Sequence, residues 1–410
     1  MVEADALNQS FEHIPMGEAF HGFFQSFAEK ADRFAVLVIR IDDFEKILEQ
    51  LGEKLTTKLF VKLARIVDGL SKTAPIVWGQ LGPDDFVCLC QDMDETSGFE
   101  LAKEVQRRLQ LTGKETVSIG LAVYPFWPFE KGSILDNARK AVDHAAFFGP
   151  DTITPFDAVS LNISADKLYQ YGDIDGAIEE FKKALAVDPK NVNVHNSLGV
   201  CYGVKGDFDG AIDAFETAIR LNPEDVMATF NLGLAHLKKG DKQRALALFL
   251  GAHRLDGDNP EVACQIGLCY QDLGQIDAAL EFLQKATARP RGRAHAFRAL
   301  GDCYLGKKML REAAKAYEKA IRGNPRDAKS LSALGDVYGM LGENLEIAVV
   351  LSRESTAIDP NNGLYRFRLG KLYRQTGNDE KAAEQFKMAE QLGHACSEEL
   401  HCLIGSGRSR

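Results

Sequence analysis

Residues 192–224 read VNVHNSLGVCYGVKGDFDGAIDAFETAIRLNPE. The pattern predicts two short helices joined by a Lys-Gly-Asp turn, with Pro223 stopping the second. Gly199, Ala211 and Ala218 are small enough for two helix backbones to approach closely, while Leu198, Tyr202 and Phe215 supply the bulk that fills the seam. One such pair cannot bury its own apolar faces, so the stretch predicts copies stacked on either side.

The copies are present. Steps of 34 residues from Gly199 reach Gly233, Gly267, Gly301 and Gly335, each preceded by Leu or Ile, and a step of 35 reaches Gly370. Three places on stand Tyr202, Tyr270, Tyr304, Tyr338 and Tyr373, with His236 as the exception. Second-helix alanines recur at 177, 211, 245, 279, 313 and 382, each followed four residues later by Phe, Tyr or Leu. Period and spacing resemble the tetratricopeptide (TPR) family over residues 158–392, which implies seven repeats in an all-α superhelical solenoid. Repeat one has Ser164 and Ala165 in place of Leu-Gly, and repeat six carries an extra residue and has Ser352 and Ser355 at its bulky and small places. A gap is therefore expected at Ser352, and the second helix of that repeat is expected to be the loosest. Residues 393–410 are expected to hold a capping helix, begun near Gln391, and a disordered tail.

The chain has 410 residues and 45% apolar composition, which sets a prior of two domains. No apolar run approaches the roughly 20 residues of a membrane span, and the N-terminus lacks a signal pattern, so a cytoplasmic protein without membrane contact is expected. Net charge is −10, and residues 1–150 hold 23 acidic against 16 basic residues, a balance of −7. Such a surface does not suit nucleic acid. The eight cysteines include no CxxC pair and read as buried reduced thiols, with His394, Cys396, His401 and Cys402 as the one cluster suited to a metal test.

The first 157 residues have another pattern. A lead-in helix with Phe20, Phe23, Phe24 and Phe27 at helical spacing falls in residues 1–32, followed by a β-α-α-β-β-α-β-α order over residues 33–157. IRIDDFEKI, QLGPDDFVCLC, VSIGLAVYP and ARKAVDHAAFFG occur here in order. They resemble the landmarks of the GGDEF family, bacterial diguanylate cyclases that join two GTP molecules into cyclic di-GMP. The resemblance implies an α/β domain with a nucleotidyl-cyclase-like sheet and flanking helices.

It also implies which residues have departed from the family's site. Arg40 stands where the family has a metal-binding Asp, Leu48 and Thr57 where it reads guanine, and Ala146 where it has a phosphate-binding Lys. In the signature hairpin Gly82 persists, the second Gly is Pro83, and Asp84 and Asp85 keep the negative charge. The product-feedback motif is missing at Thr73 and Ile76. Phosphoryl transfer rests on metal and positive groups that hold phosphates. The vestigial site, Asp42, Gly82, Pro83, Asp84 and Asp85, is thus expected to have no catalytic role and no cofactor. Asp42, Asp43, Asp84 and Asp85 could converge on a divalent ion or be ordinary solvated acids with Arg40 as a neutralising partner.

Three functions compete: a non-enzymatic scaffold or adaptor holding a partner in the TPR groove, a guanine-nucleotide or cyclic di-GMP sensor signalling through the repeats, and an active cyclase. The residue losses favour the scaffold and leave the sensor open. By the family's ligand-facing positions the groove comprises Asn193, Asn196, Val200, Met227, Phe230, Leu234, Arg298, Lys329, Lys371 and Arg374. That pattern suits a protein or peptide with an apolar anchor over Phe230 and Leu234 and acidic residues toward the cations. Alternatively Asp302 and Asp336 pair those cations internally. Oligomeric state stays open, a homo-oligomer included.

Overall fold

A computed structural model describes residues 11, 14–72, 74–82, 84–288 and 294–396. The chain forms two compact units, Met1–Pro223 and Glu224–Arg410.

The first unit is organised on β1 (Phe34–Ile41), whose sequence FAVLVIRI is apolar at both alternating sets of positions. A strand buried on both faces belongs in the middle of a sheet. β1 lies between β3 (Asp85–Gln91) and β4 (Val117–Tyr124), with β2 (Ile76–Gln80) and β5 (Ile153–Pro155) at the edges, giving the order β2-β3-β1-β4-β5. All neighbours are antiparallel except β4 and β5. The register sets Arg40 opposite Asp85 on one side and Ser118 on the other.

Alternation along β1 divides the core. Ala35, Leu37, Ile39 and Ile41 pack with α3 (Glu53–Ser71) and α4 (Glu95–Gln110), which follow α2 (Phe44–Leu51). Phe34, Val36 and Val38 pack with α1 (Glu18–Lys30) and α5 (Ile134–Ala145). This second layer does not end with the sheet. It continues through Phe156 into α6 (Ala158–Gln170), α7 (Ile174–Val187) and α8 (Val192–Lys205), taking in Leu161, Ala165, Phe181 and Leu198. Gly120 is required where α5 crosses β4, because a methyl there would collide with the backbone of Ala138 and Val142.

Most expected elements are present. α2 begins at Phe44 rather than Asp42, since Asp43 is left-handed at φ 50°. The strand β5 was not anticipated from sequence: it is three residues long, ends in Pro and is held by Ile119 N–H to Thr152 O at 2.8 Å and Phe156 N–H to Leu121 O at 2.7 Å.

Seven antiparallel helix pairs follow the sheet. Two are in the first unit, α6/α7 and α8/α9 (Phe208–Leu221). The second unit holds five: α10 (Val226–Lys238)/α11 (Lys242–Leu255), α12 (Pro260–Asp272)/α13 (Ile276–Thr287), α14 (Ala294–Gly306)/α15 (Leu310–Gly323), α16 (Ala328–Leu341)/α17 (Leu345–Ile358) and α18 (Gly363–Gln375)/α19 (Asp379–Gln391). The seam is as tight as its small residues imply. A Cβ on Gly199, Gly233 or Gly267 would stand 2.6 Å from Phe215, Phe249 or Leu283, and one on Gly301 or Gly370 would stand 2.7 Å from Tyr317 or Phe386. Within the pairs, Gly172, Gly206 and Gly240 turn the chain with φ between 81° and 87°, and the following Asp caps the next helix.

Repeat six differs from expectation. Ser352 and Ser355 are fully buried, and a Cβ at Gly335 would strike Ser352 and lie 2.9 Å from Ala348 O. Small residues on both sides have drawn the two helices together, so the expected gap at Ser352 is closed by backbone. The chain also leaves the helix at Gln391: Leu392–Cys396 is a turn, in which buried Cys396 donates its Sγ–H to Phe386 O. The rest of the expected capping helix and tail lies outside the described residues, as do Thr73, Pro83, His401 and Cys402.

Candidate functional site

Pairing register brings Arg40 to Asp85, and the helix that covers the sheet adds a second acid. Arg40 Nε and Nη2 donate to the two oxygens of Asp85 at 2.7 and 3.1 Å, and Nη1 donates to Asp143 Oδ1 at 2.6 Å. Lys167 Nζ, from α6, donates to the other oxygen of Asp143 at 2.7 Å. An unbroken ion-pair chain thus runs from the β2–β3 hairpin through β1 and α5 to the first repeat helix. The Asp85 side chain is 6% exposed and that of Arg40 28%.

Electrostatics follow this geometry. Burial opposes the Arg40 charge, but the hydrogen bonds and charges of Asp85 and Asp143 outweigh it and raise its pKa. Burial likewise opposes the Asp143 charge, yet Lys167 and Arg40 hold it below the ordinary 3.8. Asp84, 3.8 Å from Arg40, is raised by burial and by the Asp85 charge.

The other acids do not converge. Asp42 accepts from Ser118 Oγ at 2.6 Å and from Asp151 N–H at 2.8 Å, which ties β1 to β4 and to the loop before β5. Asp43 pairs with Lys46 at 2.8 Å. Among the described residues no group of three or more His, Cys, Asp or Glu could hold a metal ion. The family's Mg²⁺ does not fit this donor set, because the Asp85 and Asp42 oxygens are engaged and a guanidinium stands between the strand ends. Gly82 is half-buried, as are Leu48 and Thr57, and Ala146 is exposed.

In the repeats the expected groove residues separate into two groups. Asn193, Met227, Lys329 and Arg374 are exposed, and Asn196, Val200 and Leu234 are half-buried. Phe230 corrects the expectation of an apolar anchor: it is 7% exposed and packs on Phe249 at 5.5 Å, because its position faces α11. The cations are largely engaged as well. Arg298 pairs with Asp327 at 3.1 Å, Lys329 with Asp302 at 3.1 Å, and Lys371 with Asp336 at 2.7 Å. Arg368, which sequence reasoning missed, shares Asp336 at 3.1 Å, and Asp302 also accepts from Tyr317 Oη at 2.7 Å. Of the four expected cations, Arg374 carries no ion pair among the described residues.

Comparison with known families decides the architecture. Residues 13–146 match the family described as "Diguanylate cyclase, GGDEF domain", and tetratricopeptide families match residues 165–203, 202–260, 236–303 and 294–327. The chain joins a GGDEF domain to tetratricopeptide repeats. No curated protein matches it. Among solved structures, the repeats are similar to a MamA protein at 30% identity, covering 42% of this chain and 94% of that one with a TM-score of 0.37. They are also similar to YrrB, described as a TPR protein with an unusual peptide-binding site, at 20% identity over 45% and 95% with a TM-score of 0.40. Pseudomonas aeruginosa pilF gives 18% identity over 52% and 97%, with a TM-score of 0.46.

Around the Arg40 site the sequence reading missed Asp143, Ser118 and Asp151 of the first domain and Lys167 of the first repeat helix. Asp143 and Lys167 lie 24 residues apart and have no motif; only the register of β1 and the docking of α6 bring them to Arg40. The described cysteines are buried thiols outside any disulfide. Burial pushes the Cys88 thiol up to about 12 and those of Cys201, Cys269 and Cys303 up to about 11, so they remain protonated at neutral pH. No described helix is long and apolar enough to cross a membrane.

Proposed function

We propose that the protein is a non-enzymatic cytoplasmic scaffold, in which the GGDEF domain serves as a folded support and the TPR repeats hold a protein or peptide. The supporting observation is the bidentate Arg40–Asp85 pair, 2.7 and 3.1 Å, at the place where phosphoryl transfer needs a metal. Phosphate and base contacts are weakened as well by Ala146, Leu48 and Thr57. For the partner, Asn193, Met227, Lys329 and Arg374 are exposed on the family's ligand face and Lys329 is paired with Asp302, so the reading shifts from an aromatic anchor over Phe230 to contacts made by Asn193, Met227 and Arg374.

Titration calorimetry of the full chain with GTP and with cyclic di-GMP tests the scaffold against the sensor. The scaffold predicts no binding tighter than about 1 mM. A Kd below about 10 μM, roughly −7 kcal/mol, favours the sensor. For the partner site, Met227→Ala and Arg374→Glu should each weaken capture of a co-purifying partner, and unchanged capture by both contradicts this placement.

A further inference from the structure

The first unit carries a dense aromatic surface that the hairpin site does not use. Trp127, between β4 and α5, is 86% exposed, and Phe147 and Phe148, just after α5, are 70% and 69% exposed. Large exposed aromatic side chains gathered beside clefts mark interaction sites more often than bare surface. Two clefts adjoin here. One, of about 620 Å³, is formed by the loop around Trp127, and the other, of about 690 Å³, lies among Phe148, β5 and Phe156; both are lined by Phe126. Phe126, Phe129 and Phe156 support this shared wall, with ring centroids 5.3 to 6.1 Å apart. Phe148 is set by His144, whose ring is 5.3 Å away and whose Nδ1 lies 3.2 Å from Ser160 Oγ and 3.6 Å from Asp157 Oδ1.

Acids outnumber cations around the two clefts taken together. Glu95 and Asp157 line the second cleft and Glu130 the first. Lys131, which also lines the first cleft, sits over Tyr124 at 5.6 Å and pairs with Asp32 at 3.6 Å. Residues 1–150 as a whole carry 16 basic against 23 acidic residues. Aromatic faces with carboxylates in excess beside them disfavour phosphates and carboxylates and attract cations that can stack.

We propose that this surface docks an extended proline-containing segment of another protein that bears Arg or Lys. Proline rings fill shallow aromatic clefts, and a polyproline II backbone loses little entropy on binding. Its three-residue turn presents side chains to two neighbouring clefts in succession. An arginine beside the prolines stacks on Phe148 or Trp127 and pairs with Glu95 or Glu130. None of these residues is among the repeat positions considered above, so this proposal stands whether or not those bind a partner.

The test uses the full chain and short fluorescein-labelled peptides of proline and leucine carrying either two arginines or two glutamates. Trp127 and buried Trp78 are the two tryptophans, so a blue shift in the exposed emission reports docking directly. The arginine peptide should bind with a Kd of about 100 μM or tighter and the glutamate peptide at least tenfold more weakly. Trp127→Ala and Phe148→Ala, both at exposed positions, should each weaken the arginine peptide about tenfold while leaving the melting temperature unchanged. Equal binding of the two peptides, no binding near 1 mM, or affinity unaffected by both substitutions overturns the proposal. So does a Trp127-dependent blue shift on phosphatidylcholine vesicles without peptide binding, which would assign the surface to a membrane.

Discussion

Replacing Arg40 with Met removes both guanidinium hydrogen bonds to Asp85 and one of the two cations that face Asp143. An acid left nearly buried without its partner is costly, so Arg40→Met should destabilise the protein by about 2–4 kcal/mol in urea unfolding. Arg40→Lys keeps the charge but loses the planar fork, and should recover only part of that loss. Acidification should erase the difference. The Asp143 pKa is depressed below 3.8 in the folded protein, so its contribution is fully present above that value and is lost as pH falls through the folded pKa. The gap between wild type and Arg40→Met should therefore be full near neutral pH and shrink below about pH 4; a gap that grows on acidification contradicts the assigned pairing. That an arginine stands at position 40, where the family resemblance implies an Asp, was legible in the sequence. What Arg40 gained was not, because its partners lie 45 and 103 residues away and are selected by strand register and helix docking.

Helix pairs were the most legible elements, since a seam that excludes side chains must repeat its small residue at the helical period. Gly301→Ala would place a methyl 2.7 Å from the Tyr317 ring, and should cost about 1–3 kcal/mol by overpacking. Ala313→Leu, at a fully buried position beside Tyr317 and Leu334, should cost a similar amount. Repeat six reverses the expectation drawn from its sequence. A serine at a large-residue place suggests a void when the backbone is held fixed, but Gly335, Ala348 and Ser352 let the helices close on one another. Ser352→Phe should consequently lower the melting temperature, and a neutral or raised value would show that a void exists. Phe230 marks the limit of register arguments, since a position facing ligand in one repeat faces α11 here. β5 escaped notice because three residues ending in Pro carry no periodicity.

At the scale of the whole molecule, the core of the first unit continues from the sheet into the first repeats. A fragment ending at residue 157 exposes Phe156, Ala138 and Val142 together with the faces that Leu161, Ala165 and Phe181 would cover. Such a fragment should aggregate or melt broadly, whereas residues 1–223 should show one cooperative calorimetric transition. Equal cooperativity in the two fragments would show that the repeats do not stabilise the GGDEF domain. The change of pattern near residue 157 was plain in the sequence, but the continuity of packing across it was not, since apolar faces do not declare which neighbour they meet.

The central claim is that a site built on Arg40 and Asp85 does not make cyclic di-GMP. Full-length protein incubated with GTP and Mg²⁺ or Mn²⁺, followed by chromatography, tests it most directly. No product above a no-enzyme control is predicted for wild type, and none for Arg40→Asp, since Leu48, Thr57 and Ala146 would still lack the base and phosphate contacts. Cyclic di-GMP formed by the wild type and abolished by Asp85→Ala would contradict the account.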